Sequence, residues 1–186
     1  DEQWQLIKDG PDKVSKEYVN AVSSRFVWPK YDALLITNDD AITLQAAGNH
    51  KFERWLRTNV HNHKVTGYAS VTVSLKATGL PPGDITADQM EAIADMSEKY
   101  GFGELRVSHE QNLILADVRR QSLYSLWLEL DMLNLATPNI GYITNIIACP
   151  GGDYCSLANA VSIPVAVAIQ ERFDDLDFVY EIGELD

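Results

Sequence analysis

Cys149 and Cys155 are the only two cysteines of the chain, set in "ACPGGDYCSLANA" with five residues between them. Thiols at that spacing could close a disulfide, bind a soft metal, act as a redox pair or fill a core as small apolar side chains. Buried free cysteine is the ordinary fate of a thiol in a reducing compartment. A disulfide across five residues is disfavoured there, and a redox pair usually reads C-x-x-C. Pro150, Gly151 and Gly152 permit a tight turn and a close approach of backbone to something bulky, and Ser-Leu-Ala-Asn-Ala after Cys155 can open a helix. Two thiolates on such a loop suit iron in an iron–sulfur cluster. A cubane cluster normally takes four cysteines, so spacing alone leaves the choice open.

A second polar group lies in "RVSHEQN". Arg106 and Ser108 share one strand face, and His109, Gln111 and Asn112 lie around the connection that follows. Taken alone, this is a polar hairpin facing solvent. "VHNHK" offers His61 and His63, but with no carboxylate or cysteine cluster near them they read as ordinary loop histidines.

The elements that must position these residues are clearest between about Val65 and Pro138. In "YASVTVSL", Ala69, Val71, Val73 and Leu75 alternate with Tyr68, Ser70, Thr72 and Ser74, which predicts a strand with one buried face. "ITADQMEAIADMSEKYG" carries helix signals: Thr86 and Gln89 form a capping box, Ile85 and Met90 a hydrophobic staple, and Gly101 a stop. "ELRVSHEQNLILADV" predicts two strands around a polar connection. "RQSLYSLWLELDMLNLATP" predicts a helix with Leu123, Leu126, Trp127, Leu130 and Leu133 on one stripe, ended before Pro138. The order β-α-β-β-α makes the class α+β, ferredoxin-like in layout, with helices on one face of the sheet. A lone unit of this kind has an open sheet face and edges that find a partner, so self-association is expected.

Residues 1–64 read as a lead-in. Pro11 suits a first helical position, with Val14, Tyr18, Val22 and Phe26 following at near-helical spacing. "NHKFERWLRTNV" predicts a short helix with Asn49 as N-cap and Phe52, Trp55 and Leu56 on one face. From Asn139 onward, "IGYITNIIAC" predicts a strand entering the cysteine loop, a helix begins near Pro164, and "DFVYEIGEL" begins a further strand. "ERFDDLDF" reads as a solvated acidic turn.

The formal charge of −12, from 15 basic and 27 acidic side chains, argues against nucleic acid or an anionic membrane as partner, because both need a positive field. No run is long and apolar enough for a membrane span and no leader is visible, so a soluble, cytoplasmic protein is expected. The chain starts with Asp1 and stops at Asp186 directly after "YEIGEL"; both ends look cut.

"ACPGGDYCSLANA" closely resembles the first cluster-binding motif of the siroheme-dependent nitrite and sulfite reductases, a C-x5-C loop followed by Leu-Ala. "GYASVTVSLKATGLPPGDITADQM" through "GELRVSHEQNLILADV" resembles the second ferredoxin-like half domain of that family. The resemblance covers about residues 50–186 in the family's order. It implies three parts: a lead-in over 1–64, the half domain over 65–138, and an incomplete siroheme and 4Fe-4S domain over 139–186. It implies that Cys149 and Cys155 are the first two ligands of a 4Fe-4S cluster, whose second C-x3-C pair would lie beyond Asp186, and that Arg106, Ser108, His109, Gln111 and Asn112 lie near the siroheme. The Arg-x-x-x-Gln arrangement of the other half domain is replaced here by His109 and Gln111–Asn112, and Glu110 is a poor neighbour for an anion. The intact enzyme is then expected to take sulfite to sulfide or nitrite to ammonia with six electrons from ferredoxin or a flavoprotein, although an acidic surface suits an acidic ferredoxin badly. This chain alone is expected to be an inactive excised piece holding neither cofactor. The competing expectations are a non-catalytic α+β binding or assembly module with two inert buried cysteines, and a dithiol switch.

Overall fold

Capping, rather than periodicity, sets where the second helix begins. In the computed structural model, which describes residues 2–10, 13–32 and 39–174, the chain divides into a unit Asp1–Asp32 and a unit Ala33–Asp186. The first unit holds α1 (Glu2–Ile7) and α2 (Lys16–Ser23). The helix expected behind Pro11 starts later, because the Ser15 hydroxyl accepts from the Tyr18 amide at 3.1 Å and caps α2. Val14 and Phe26 therefore fall outside the helix, and they and Tyr18 are exposed rather than forming a buried stripe. Pro11 lies outside the described residues.

The second unit runs α3 (Asp39–Ala46), α4 (His50–Asn59), β1 (Val60–Asn62), β2 (Tyr68–Val73), α5 (Ala87–Tyr100), β3 (Leu105–Val107), β4 (Leu113–Arg119), α6 (Leu123–Met132) and α7 (Ile163–Arg172). Its four strands form one antiparallel sheet in the order β1-β2-β4-β3. The fold is α+β, as the pattern predicts, and β1 adds one strand to the three expected from the β-α-β-β-α stretch. Strand β1 escaped notice because it is three residues long with Val60 as its only apolar member, too short to display a period. A bulge interrupts β2 against β4: Ala69 faces Val118 and Val71 faces Leu115, so β4 carries one extra residue. That extra residue brings both Leu115 and Val118 into the core.

One face of the sheet carries the core. Ala69, Val71 and Val73 of β2 are fully buried against Ile93 and Met96 of α5 and Leu123, Leu126 and Leu130 of α6. Helix α4, with the Asn49 side chain accepting from Phe52 N at 3.1 Å, adds Phe52 and Trp55. The Phe52 ring meets Tyr124 edge-on at 5.0 Å and Trp127 at 5.3 Å. Helix α5 begins with the expected box: Thr86 Oγ1 accepts from Gln89 N at 3.2 Å, and Gln89 Oε1 accepts from Thr86 N at 3.0 Å. Gln89 Nε2 also donates to Leu133 O at 2.9 Å, tying the start of α5 to the end of α6. Helix α6 stops where Asn134 takes a left-handed φ of 57° and Leu135 N reaches back to Leu130 O at 2.8 Å.

The open second sheet face expected from the alternation is not open. Tyr68, Thr72 and Ser74 are buried like their core-facing neighbours. The segment after α6 lies over the Ser74 end, with Ser74 Oγ donating to Asn139 Oδ1 at 2.7 Å. At the other end Tyr68 packs on His63 and Phe102. Covering this face removes the reason for pairing through it.

His63 is not an ordinary loop histidine. Its Nε2 lies 3.1 Å from Asp117 Oδ1, with both side chains at most 10% exposed, and its Nδ1 accepts from Val65 N at 2.9 Å. Replacing His63 with alanine removes one partner of a buried carboxylate. His63→Ala should lower stability by about 2 kcal/mol, the cost of depriving a buried polar group of its hydrogen bond. Urea unfolding beside wild type measures it. Among the described residues no helix is long and apolar enough to cross a membrane.

Candidate functional site

The cysteine loop is built on two glycines and a serine. A single 3-10 turn, Gly151–Asp153, lies between the two thiols. Cys155 N donates to Gly151 O at 2.9 Å, Gly152 N to Ala160 O at 2.8 Å, and Ser162 Oγ to Cys149 O at 2.5 Å. Gly151 has φ +65°, and a Cβ there would lie 2.4 Å from Ser162 Oγ and 2.7 Å from Ala160 O. Only glycine fits this close return of the chain. Both thiols are free; Cys149 is exposed and Cys155 half-buried. Two inert core cysteines are therefore not what the chain contains.

Two expected elements around the loop do not form. The stretch leading to Cys149 runs as turns rather than a strand, and "SLANA" after Cys155 runs as bends rather than a helix. The reason is local. Main-chain groups that a ladder would use are taken by turns, such as Asn145 N to Tyr142 O at 2.9 Å and Ala158 N to Cys155 O at 3.1 Å. Helix α7 starts at Ile163 with Pro164 in its first turn, as predicted. The strand expected in "DFVYEIGEL" and the second half of "ERFDDLDF" lie outside the described residues; of the acidic turn expected there, Glu171 and Arg172 instead form the last residues of α7.

The β3–β4 hairpin grips the loop from the side. Ser108 Oγ accepts from the amides of Glu110 and Asn112, both at 3.2 Å, and so closes the hairpin turn. Gln111 takes a φ of 58° there, uncommon outside glycine. That left-handed turn carries its side-chain amide to Ala148, the residue before Cys149. Nε2 donates to Ala148 O at 2.8 Å and Oε1 accepts from Ala148 N at 3.1 Å. Asn112 is fully buried; its Oδ1 accepts from Leu75 N at 3.3 Å and its Nδ2 donates to Asn145 Oδ1 at 3.1 Å.

Beneath the hairpin sits a buried cation that the sequence reading missed. Lys76 has no exposed surface, and its ammonium donates to Glu110 O, to Asn145 Oδ1 at 3.1 Å and to Asn145 O at 3.4 Å. Burial lowers its pKa to about 8, with the Glu110 carboxylate pulling the other way. Asn145 Nδ2 reaches Ser74 Oγ at 3.2 Å and Asn139 Oδ1 at 3.1 Å, and Asn139 Nδ2 donates to Lys76 O at 3.1 Å. The end of β2, the hairpin and the run into Cys149 thus share one polar network. Lys76 continues the polar side of the β2 alternation and so reads as a surface residue. The asparagines at 139 and 145 were the available signal that this side is covered.

Of the five hairpin residues expected near a cofactor, Ser108, Gln111 and Asn112 spend their polar groups inside the chain. Arg106 is exposed and its Nε lies 2.5 Å from Glu104 Oε1; His109 is exposed. Between α5, the hairpin and the cysteine loop lies an apolar hollow of about 870 Å³, lined by Leu75, Ile85, Met90, Val107, Leu113 and Pro150 among others. Ile85 and Met90, expected as a staple, form part of this wall.

The donor set fits part of a cluster. Two free thiols on a glycine cradle that a Cβ would block are suitable soft ligands for iron. Among the described residues no three His, Cys, Asp or Glu side chains converge to hold a metal, so any four-ligand cluster must draw its other ligands from elsewhere.

The family model described as Nitrite/Sulfite reductase ferredoxin-like half domain matches residues 61–133. The chloroplastic ferredoxin–nitrite reductase of Spinacia oleracea is 32% identical over 126 residues, 67% of this chain and 20% of that protein. The assimilatory ferredoxin-dependent nitrite reductase of Haloferax mediterranei is 36% identical over 77 residues, 41% of this chain and 13% of that protein. The assimilatory-type sulfite reductase of Nitratidesulfovibrio vulgaris is 27% identical over 100 residues, 53% of this chain and 44% of that protein. The aligned part is thus a minority of each relative's length. The matched half domain is the sheet and helices that grip the cysteine loop, and by it the chain belongs to the nitrite/sulfite reductase family.

Proposed function

We propose that this chain is part of a longer reductase that converts nitrite to ammonia, or sulfite to sulfide, with six electrons, and that Cys149 and Cys155 supply two of the four thiolates of its 4Fe-4S cluster. The observation that carries this reading is the pair of free thiols on a glycine cradle, gripped by a half domain of this family. Nitrite is favoured as the substrate because the more similar relatives are nitrite reductases. Their names also favour ferredoxin as the donor. A siroheme beside the cluster would supply the metal centre for anion reduction and draw single electrons from it.

The chain's own residues have more limited roles. Gly151 and Ser162 shape the loop, Gln111 fixes the residue before Cys149, and Asn112 anchors Asn145. Ser108 shapes the hairpin that carries them. Arg106 and His109 are the hairpin side chains that can face a bound carboxylate-bearing cofactor. The remaining cluster ligands and the anion-binding cations are assigned to parts of the longer protein outside this chain, which by itself should be inactive.

Nitrite reduction by the longer protein, driven by reduced methyl viologen, tests the reading. Wild type should form ammonia, and Cys149→Ser should fall to background while this chain alone stays at background. A longer protein that reduces neither nitrite nor sulfite would overturn it.

A further inference from the structure

Lys76 is an unusual residue to bury. Among the described residues its contacts are three neutral oxygens, Glu110 O, Asn145 O and Asn145 Oδ1, and no carboxylate accepts from it. An ammonium has three donors and matches three acceptors; a neutral amine has two and would turn its lone pair toward one of the oxygens. The contacts are well satisfied, but the charge is only partly offset, since burial outweighs the Glu110 carboxylate. The groups facing it are few. Glu110 on the hairpin carries an opposite charge that favours the protonated form and offsets part of the burial cost, without a hydrogen bond from its carboxylate. His109 on the same hairpin is exposed, and Tyr142 is the only titratable side chain between Asn139 and Ala148.

The position of this charge connects it to the thiols by two short routes. Asn145, which Lys76 holds by side chain and main chain, is four residues before Cys149. Glu110, whose carbonyl Lys76 also holds, precedes Gln111, which clasps both main-chain groups of Ala148. A cluster held by four thiolates carries net negative charge, and a buried cation nearby is only weakly screened.

We propose that Lys76 is the positioning residue of the cysteine loop, and that its buried charge is completed by the anionic iron–sulfur group that Cys149 and Cys155 take. This rests on the cluster reading above. The coupling is reciprocal: an anion at the thiols raises the proton affinity of Lys76, and protonated Lys76 tightens the hold on the anion by the same factor. Raising the pH far enough to remove that proton must therefore weaken the hold.

The test is the rate at which a chelator strips iron from the longer holoprotein between pH 7 and 10, in wild type, Lys76→Met and Lys76→Arg. In wild type the rate should climb several-fold over the upper part of that range. Lys76→Met should lose iron roughly tenfold faster at pH 7, the factor of one charge-assisted contact, with less added dependence on pH. Lys76→Arg keeps its charge throughout and should hold iron up to pH 10. Should Lys76→Met fail to fold, the difference between wild type and Lys76→Arg still decides. Three superimposable profiles would overturn the role of Lys76 and leave the cluster standing. A wild-type protein with no iron at any pH would instead overturn the cluster reading, and this inference with it.

Discussion

Gly151→Ala is expected to dismantle the cysteine loop. The new Cβ would lie 2.4 Å from Ser162 Oγ, 2.7 Å from Ala160 O and 2.9 Å from Ser162 N. Ser162 Oγ could rotate away, but two of the three obstacles are main chain. An L-residue at φ +65° adds strain of its own. Together these should cost about 3 kcal/mol, more than the few hydrogen bonds closing the loop can absorb. The loop should open and its thiols lose their mutual placement. Gly152→Ala is the control. Its nearest obstacle is Ala160 O at 3.4 Å and its φ is not left-handed, so it should behave nearly as wild type. The measurement is iron per protein in the longer enzyme after anaerobic reconstitution. Near-zero iron in Gly151→Ala with near-normal iron in Gly152→Ala is the expected pair; equal iron in both would show that the cradle is not what organises the thiols.

The second large effect concerns stability against pH in this chain when no iron is loaded. Lys76 is held below its ordinary value of 10.5, at about 8. Between those values the unfolded chain keeps the proton that the folded chain has released. The unfolded state thus binds more protons, and stability must rise with pH over that window. Below pH 8 both states are protonated and the folded chain bears the full cost of the buried cation. The rise should be on the order of 3 kcal/mol, the displacement from 10.5 to about 8 taken at about 1.4 kcal/mol per pH unit. Other lysines and tyrosines titrate in the same range, so the quantity to read is the difference between wild type and Lys76→Met in urea midpoints at pH 7, 8, 9 and 10. Wild type should gain on the variant as pH rises. Parallel curves would mean that Lys76 titrates like an ordinary surface lysine.

Much of the fold was legible because its signals are local. The Thr86–Gln89 box, the Asn49 cap and the Leu123, Leu126, Trp127, Leu130 stripe each lie within one helix, and each appears where the pattern puts it. The failures involve contacts across long separations. The alternation in β2 says which residues share a face but not what covers that face, and Ser74 and Lys76 are buried by residues 65 and 69 positions away. The same limit applies at the candidate site. The cysteine pair and its glycines are visible in a short run, and the hairpin residues stand out as a polar group. That Gln111 clasps Ala148, 37 positions on, depends on a left-handed turn at a glutamine, which no spacing rule announces. In "IGYITNIIAC" the apolar residues suggested a strand, but Asn139 and Asn145 tie the segment sideways to Ser74 and Lys76, and turns result.

The most direct measurement is iron, acid-labile sulfide and visible absorption on the longer protein beside Cys149→Ser and Cys155→Ser. Cluster and siroheme bands in wild type, with the cluster lost in either variant, is the predicted result and makes these two thiols ligands. A colourless, iron-free wild type after anaerobic reconstitution would contradict it and leave a half domain of this family that carries no cluster.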